Sequence, residues 1–331
     1  MNTHSKRPLV RPATPTTGPE PGRRRRSSRV LLGLVVPLGA LLLGVHTPAT
    51  AGPEENGSAP GQQHGTPGEH STPREHGTPG EHGTPGQHGH PMGSQIARVE
   101  GDHSTPWSRQ RAREPRGTNS DGGPATATVD GIDVSSWQGA VDWPHWWDEG
   151  KRFAYVKATE GTGYTNPYFD QQYDGSYDVG MIRGAYHFAL PDRSSGAAQA
   201  DYFVSHGGGW SADGQTLPGA VDLEYNPYGA TCYGKDHDAM AAWIRDFHDT
   251  YHARTGRHPV IYTSTSWWEQ CVGTAQSFSD TVPLWVARYD SSVGELPHDW
   301  DYHTFWQYTS SPIDQNVFNG AYHRLRMLAM G

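Results

Sequence analysis

Aromatic side chains are nearly missing from the first 128 of the 331 residues: of 36 Phe, Trp and Tyr, only Trp107 precedes residue 129. Residues 52–128 hold 9 apolar side chains in 77 positions, against 85 in 203 for residues 129–331. A stretch so poor in apolar groups cannot offset the entropy of ordering its backbone, which excludes an independently folded domain there. Positive charge is scarce in the remainder, where 12 Lys plus Arg face 25 Asp plus Glu, a balance of −13. That balance excludes nucleic acid as the default partner. Long apolar runs are also lacking: the run at 30–45 has 16 residues and is broken by Pro37, where a membrane span wants about 20. No Gly-x-Ser-x-Gly is present, which removes the usual serine hydrolase, and Gly161-Thr-Gly163 lacks the third glycine of a phosphate loop.

What the first part does contain is an address and a spacer. Arg23 to Arg26 and Arg29 precede the apolar run, and Ala49-Thr50-Ala51 follows it, the order of a secretory signal spanning residues 1–51. Its removal takes the formal charge from −9 to −16. Residues 52–128 carry a six-residue repeat beginning at Thr66, Thr72, Thr78 and Thr84, of the form Thr-Pro-Gly-Glu-His-Gly. Ser71 and Arg74 break the glycine triplets that a collagen helix needs. The reading is a disordered low-complexity linker or pro-segment, with order beginning near residue 129.

From residue 129 onward, short apolar bursts alternate with helical patterns, the signature of an α/β fold with a parallel sheet. Strands are expected at 131–135, 153–158, 182–188, 219–223, 260–263, 284–287, 304–308 and near 314–318. Helices are expected at 143–149, 168–178, 195–205 and 236–255, with a short turn at 266–270. Eight strands with about five helices, and helices lacking in the later part, predict an irregular TIM-like barrel over residues 129–331. In such barrels the reactive groups cluster at the carboxyl ends of the strands.

That rule sorts the polar residues. Asp133 ends the first strand, Lys157 and Glu160 follow the second, Tyr186 ends the third, Asp222 and Glu224 end the fourth, Tyr262 the fifth and Trp285 the sixth, while Asp314 opens the last. In Ala220-Val-Asp222-Leu-Glu224 the two acids face the same way and their backbones lie roughly 6–7 Å apart. Two like charges in a desolvated cleft push one pKa upward, giving a proton donor beside an ionised partner. Glycoside cleavage needs that division, because the leaving oxygen is protonated while positive charge grows at the sugar carbon.

The chain also resembles the glycoside hydrolase family 25 lysozymes, the N-acetylmuramidases of bacteria and phages. The resemblance is carried by Gly131-Ile-Asp133-Val-Ser-Ser-Trp137-Gln138-Gly139, by Tyr155-Val-Lys157-Ala-Thr159-Glu160-Gly161 with Tyr164 and Asn166, by Gly184-Ala-Tyr186-His187-Phe188, by Val221-Asp222-Leu-Glu224, and by Trp306-Gln307-Tyr308 followed by Asp314-Gln-Asn316. It implies an eight-stranded barrel and hydrolysis of the β-1,4 bond between N-acetylmuramic acid and N-acetylglucosamine in peptidoglycan. By the same resemblance Glu224 is the general acid/base, Asp222 orients the substrate's acetamido group as internal nucleophile, and Asp133 and Asp314 are the remaining acids of the cleft. Direct attack by Asp222 or Asp133 stays open as a second mechanism. A chitinase-like N-acetylglucosaminidase and an inactive wall-binding barrel are the competing functions.

Tyr186, Lys157, Glu160, Tyr262, Trp285 and Tyr308 are expected to line the substrate. On the strand holding Trp306, Gln307 and Tyr308, alternation puts Gln307 opposite its neighbours, so only one of the two sets lines the lumen. His248 and His252 have the i, i+4 spacing of a zinc site, but no third ligand is evident and a solvent-facing pair is expected. Cys232 and Cys271, the only cysteines, are expected to form a disulfide in an exported chain. No cofactor or metal is expected. The partners are peptidoglycan glycan strands, without nucleic acid or stable membrane association after signal cleavage, and the expected state is a secreted, extracellular monomer.

Overall fold

The computed structural model describes residues 89–105 and 127–331, all within one compact unit. The signal at 1–51 and the repeats beginning at 66–84 lie outside the described residues. Nine strands form one sheet: β1 (Val129–Val134), β2 (Phe153–Glu160), β3 (Tyr164–Thr165), β4 (Ile182–Phe188), β5 (Ala220–Asp222), β6 (Val260–Thr263), β7 (Leu284–Ala287), β8 (Phe305–Thr309) and β9 (Gln315–Phe318). The order β1-β9-β8-β7-β6-β5-β4-β2 closes through a β1–β2 pairing, so eight strands make a barrel and β3 is a hairpin partner of β2 outside it.

Among the described residues seven α-helices accompany them: α1 (Ser94–Glu100), α2 (Trp143–Asp148), α3 (Phe169–Asp178), α4 (Gly196–Ser205), α5 (His237–Thr255), α6 (Thr265–Cys271) and α7 (Tyr322–Met330). Helices α2 to α6 occupy the expected positions and α7 adds to them, whereas α1 corrects the expectation that order begins near residue 129: it lies inside the stretch 52–128 read as a disordered linker and is ordered because Met92 and Ile96 are buried against the barrel. Asp142, Ser195, Asp236 and Ser264 each cap a helix by accepting the backbone N–H three residues on. The last strand departs from the parallel expectation, since β9 runs antiparallel to both β1 and β8. The cause is chain length: residues 310–314 suffice for a hairpin, whereas a parallel return needs a dozen or more.

Alternation along the strands stacks the barrel interior in layers. Phe153 on β2 packs against Phe305 on β8 at 5.3 Å between ring centres, and Phe305 against Phe318 at 5.3 Å. Tyr155 and Trp285 form the next layer at 4.7 Å. Two glycines make room for these rings, since a Cβ on Gly131 would lie 2.4 Å from the Phe153 ring and one on Gly184 would lie 2.5 Å from Tyr155. Two residues further along the same inward faces come Asp133, Lys157, Tyr186 and Asp222. Hydrocarbon thus seals the barrel below, and polar groups crowd its carboxyl end.

Outside the barrel, Met240, Trp243, Ile244, Phe247 and Tyr251 turn the buried face of α5 inward, as their spacing predicts. The expectation for the histidine pair needs correcting. His252 is exposed, but His248 is buried, with Nδ1 2.7 Å from Asp249 and Nε2 2.9 Å from His258 Nδ1. Among the described residues no group of His, Cys, Asp and Glu is arranged to hold a metal ion.

Candidate active site

The loop after β5 brings Glu224 over the barrel mouth beside Asp222, and both are fully buried. Burial raises the Asp222 carboxyl well above the usual carboxylate range, and the neighbouring Glu224 charge adds to it. Neither carboxylate oxygen of Asp222 has a hydrogen-bond partner among the described residues. Burial pushes Glu224 up to about 8, although backbone N–H groups of Ile96, Gln95 and Gly93 pull the other way. Its own carbonyl accepts from the Tyr233 hydroxyl at 3.1 Å, which fixes the loop that carries it.

Across the lumen, Asp133 stands at the next-to-last position of β1. Its Oδ2 accepts from Gln307 Nε2 at 2.8 Å and from Asn316 Nδ2 at 2.7 Å. Burial pushes it up to about 7 against those two bonds. Gln307 is itself held, because its Oε1 accepts from the hydroxyls of Tyr262 at 2.5 Å and Tyr289 at 2.7 Å. Asp314 is buried beside this network, with its carbonyl 3.2 Å from the Asp133 N–H; burial and then the Asp133 charge raise its carboxyl well above the usual range.

On the β2 side, Lys157 Nζ donates to Glu160 Oε2 at 2.6 Å, and the Tyr228 hydroxyl donates to Oε1 at 2.6 Å. Burial would raise Glu160, but the Lys157 ammonium and these bonds outweigh it and hold the carboxyl low. Tyr186 faces inward from β4, while its neighbour His187 faces the helices and bonds Thr159 and Gln199.

Asp133, Asp222, Glu224, Asp314, Lys157, Glu160, Tyr186 and Tyr262 therefore converge on one end of the barrel. Trp285 meets the site one step removed: it lies in the aromatic layer below, and its indole N–H donates to Asn316 Oδ1 at 2.9 Å. Tyr308 does not reach the lumen. Its hydroxyl donates to Gln315 Oε1 at 3.1 Å on the opposite face of the β8–β9 hairpin, and Trp306 shares that face, bonding the Arg288 carbonyl. Gln307 is the residue of that strand that faces the acids. Sequence reasoning missed Gln307 and Tyr289 as site residues, and the only available signal was the parity of Trp306-Gln307-Tyr308. Trp137, Tyr164 and Tyr228 stand at the rim.

The disulfide forms between Cys232 and Cys271, whose Cα atoms are 5.3 Å apart. It ties the loop after Glu224 to the end of α6.

Buried carboxyls gathered at the strand ends of a closed barrel, one pair sharing a strand end, are the equipment of a glycoside hydrolase. The model of glycosyl hydrolases family 25 matches residues 132–317, more than half of the chain, and the chain belongs to that family. Lysozyme M1 of Streptomyces globisporus is 50% identical over 216 residues, covering 62% of this chain and 74% of the relative. The N,O-diacetylmuramidase of a Chalaropsis species is 47% identical over 211 residues, covering 62% of this chain and all of the relative. The solved muramidase of Acremonium alcalophilum superposes with a TM-score of 0.60 at 56% identity, covering 61% of this chain and 99% of that one.

Proposed function

We propose that the chain is a 1,4-β-N-acetylmuramidase, a lysozyme that hydrolyses the bond between N-acetylmuramic acid and N-acetylglucosamine in peptidoglycan. The family and its muramidase relatives support the substrate. The observation that carries the mechanism is the Asp222 and Glu224 pair at the end of β5, in which both Asp222 oxygens lack a partner among the described residues.

Glu224 in its protonated form, which burial beside Asp222 favours, gives its proton to the leaving glycosidic oxygen. With Glu224 protonated no like charge stands beside Asp222, which in its ionised form accepts the acetamido N–H of the sugar, orienting the acetamido oxygen toward the anomeric carbon and stabilising the charge that develops as it attacks. Glu224, now ionised, then takes a proton from the water that opens the cyclic intermediate, so the anomeric configuration is retained. Asp133, fixed by two amide donors, supplies a stationary polar wall rather than the attacking atom. Lys157 and Glu160 mark one side of the glycan path and Tyr262 the other.

The signal-like order of residues 1–51 and the Cys232–Cys271 bridge support export to an oxidising compartment. Among the described residues, no helix is long and apolar enough to cross a membrane.

Glu224→Gln tests the assignment. Loss of general acid/base catalysis costs about 10²–10⁴ in turnover, while sedimentation with insoluble peptidoglycan stays intact. Near-normal release of reducing ends by this variant would remove Glu224 from the mechanism.

A further inference from the structure

Residues 89–104 cross the mouth of the barrel and cover the acids just described. Both oxygens of Glu224 are taken: Oε1 accepts the Gly93 N–H at 2.9 Å, and Oε2 accepts those of Gln95 at 2.9 Å and Ile96 at 3.1 Å. The Met92 N–H donates to the Tyr186 hydroxyl at 3.1 Å, and Lys157 donates to the His90 carbonyl. At the far end the Glu100 carboxylate accepts from the hydroxyls of Ser264 at 2.5 Å and Tyr225 at 2.9 Å.

The fit is steric as well as polar. Met92 and Ile96 are buried in the same core as the barrel aromatics, whereas Val99 on the outer side of α1 is 56% exposed. Gly93 has φ +75°, and a Cβ there would lie 1.9 Å from the Tyr289 hydroxyl and 2.5 Å from that of Tyr262. Only glycine brings the backbone this close to the site. Helix α1 has seven residues, too few to persist alone in water. Its order comes from the cleft.

We propose that residues 89–104 are an inhibitory segment that occupies the glycan cleft of the same chain, so that the enzyme is closed until the segment is displaced or cut away. A sugar cannot receive a proton from a carboxyl whose two oxygens are engaged by peptide N–H groups, and the path between Lys157 and Tyr262 is filled by Met92 and Gly93. The proposal rests on the muramidase reading and on Glu224 as its acid.

The barrel closes without this segment, through β1–β2 and β1–β9. The family match at residues 132–317 lies within the barrel, and 61% of this chain accounts for 99% of the solved Acremonium muramidase, so residues 127–331 are expected to fold alone. The test compares residues 52–331 with residues 127–331 on purified peptidoglycan, reading reducing ends released. The longer form is expected to be at least about tenfold slower, the size of effect given by about 1.4 kcal/mol of occupancy. Gly93→Val and, separately, Ile96→Asp in the longer form are expected to restore most of the rate, whereas Val99→Asp on the exposed side leaves the inhibition in place. A synthetic peptide of residues 89–104 at about 1 mM, the effective concentration a short tether supplies, is expected to slow the shorter form. Equal rates for the two lengths would overturn the inhibition and leave the muramidase reading standing. Two inert forms would overturn that reading and the inhibition with it.

Discussion

Gln307 donates from Nε2 to Asp133 Oδ2 at 2.8 Å while its Oε1 accepts from Tyr262 and Tyr289. One side chain thus orients an acid and two hydroxyls that face the substrate path. Gln307→Leu keeps the volume but takes the acceptor of the buried Tyr262 hydroxyl, at about 1–3 kcal/mol, while Asp133 keeps Asn316 and the Tyr289 hydroxyl keeps the Gly93 carbonyl. We expect a clear fall in the melting temperature and a lower kcat. An unchanged Tm would show that water replaces the amide and that Gln307 does not organise the site.

Asp222 is the residue on which the nucleophile turns. Asp222→Asn in residues 127–331 is expected to lower kcat by about 10² or more while KM changes little, as for a group acting mainly in the transition state. The same enzyme is expected to leave peptidoglycan with de-N-acetylated muramic acid uncut. Cleavage of that substrate, with a sugar covalently trapped on Asp222 or Asp133, would establish a carboxylate nucleophile instead.

Stability carries a pH signature of the acid cluster. Burial raises Glu224 to about 8 and Asp133 to about 7. Above the ordinary carboxylate range, the folded chain therefore holds protons that the unfolded chain has released. Stability falls as pH rises toward these values. His187 acts in the opposite sense, because burial pushes it down to about 4 and makes folding more favourable as pH rises from there to about 6.5. The window between pH 6.5 and 8 thus isolates the carboxyls. In it, we expect the wild-type Tm to fall and that of Glu224→Gln to fall less. A wild-type Tm that rises across this window would contradict the burial of protonated acids.

The strands and the acid quartet were legible because each strand is a short apolar burst bounded by glycine, proline or acid, and the reactive residues end those bursts. Tyr308 was misread for a physical reason. A barrel strand is buried on both faces, against the filled lumen and the outer layer, so hydrophobicity no longer tells inside from outside. Gln307, polar and fully buried, faces the lumen, and Trp306 and Tyr308 do not. Helix α1 escaped for another reason: Met92 and Ile96 stand among polar residues in a stretch otherwise poor in apolar groups. Their burial comes from the barrel mouth. Local sequence shows neither the cleft nor the glycine that enters it.

A muramidase is defined by the bond that it cuts. Digestion of purified peptidoglycan by residues 127–331, followed by borohydride reduction and sugar analysis, reports it directly. A muramidase leaves muramitol as the new reduced end, absent from a parallel digest by Glu224→Gln. Glucosaminitol in its place would contradict the muramidase reading, and no new reduced end from a chain that still sediments with the wall would make the barrel a binding protein.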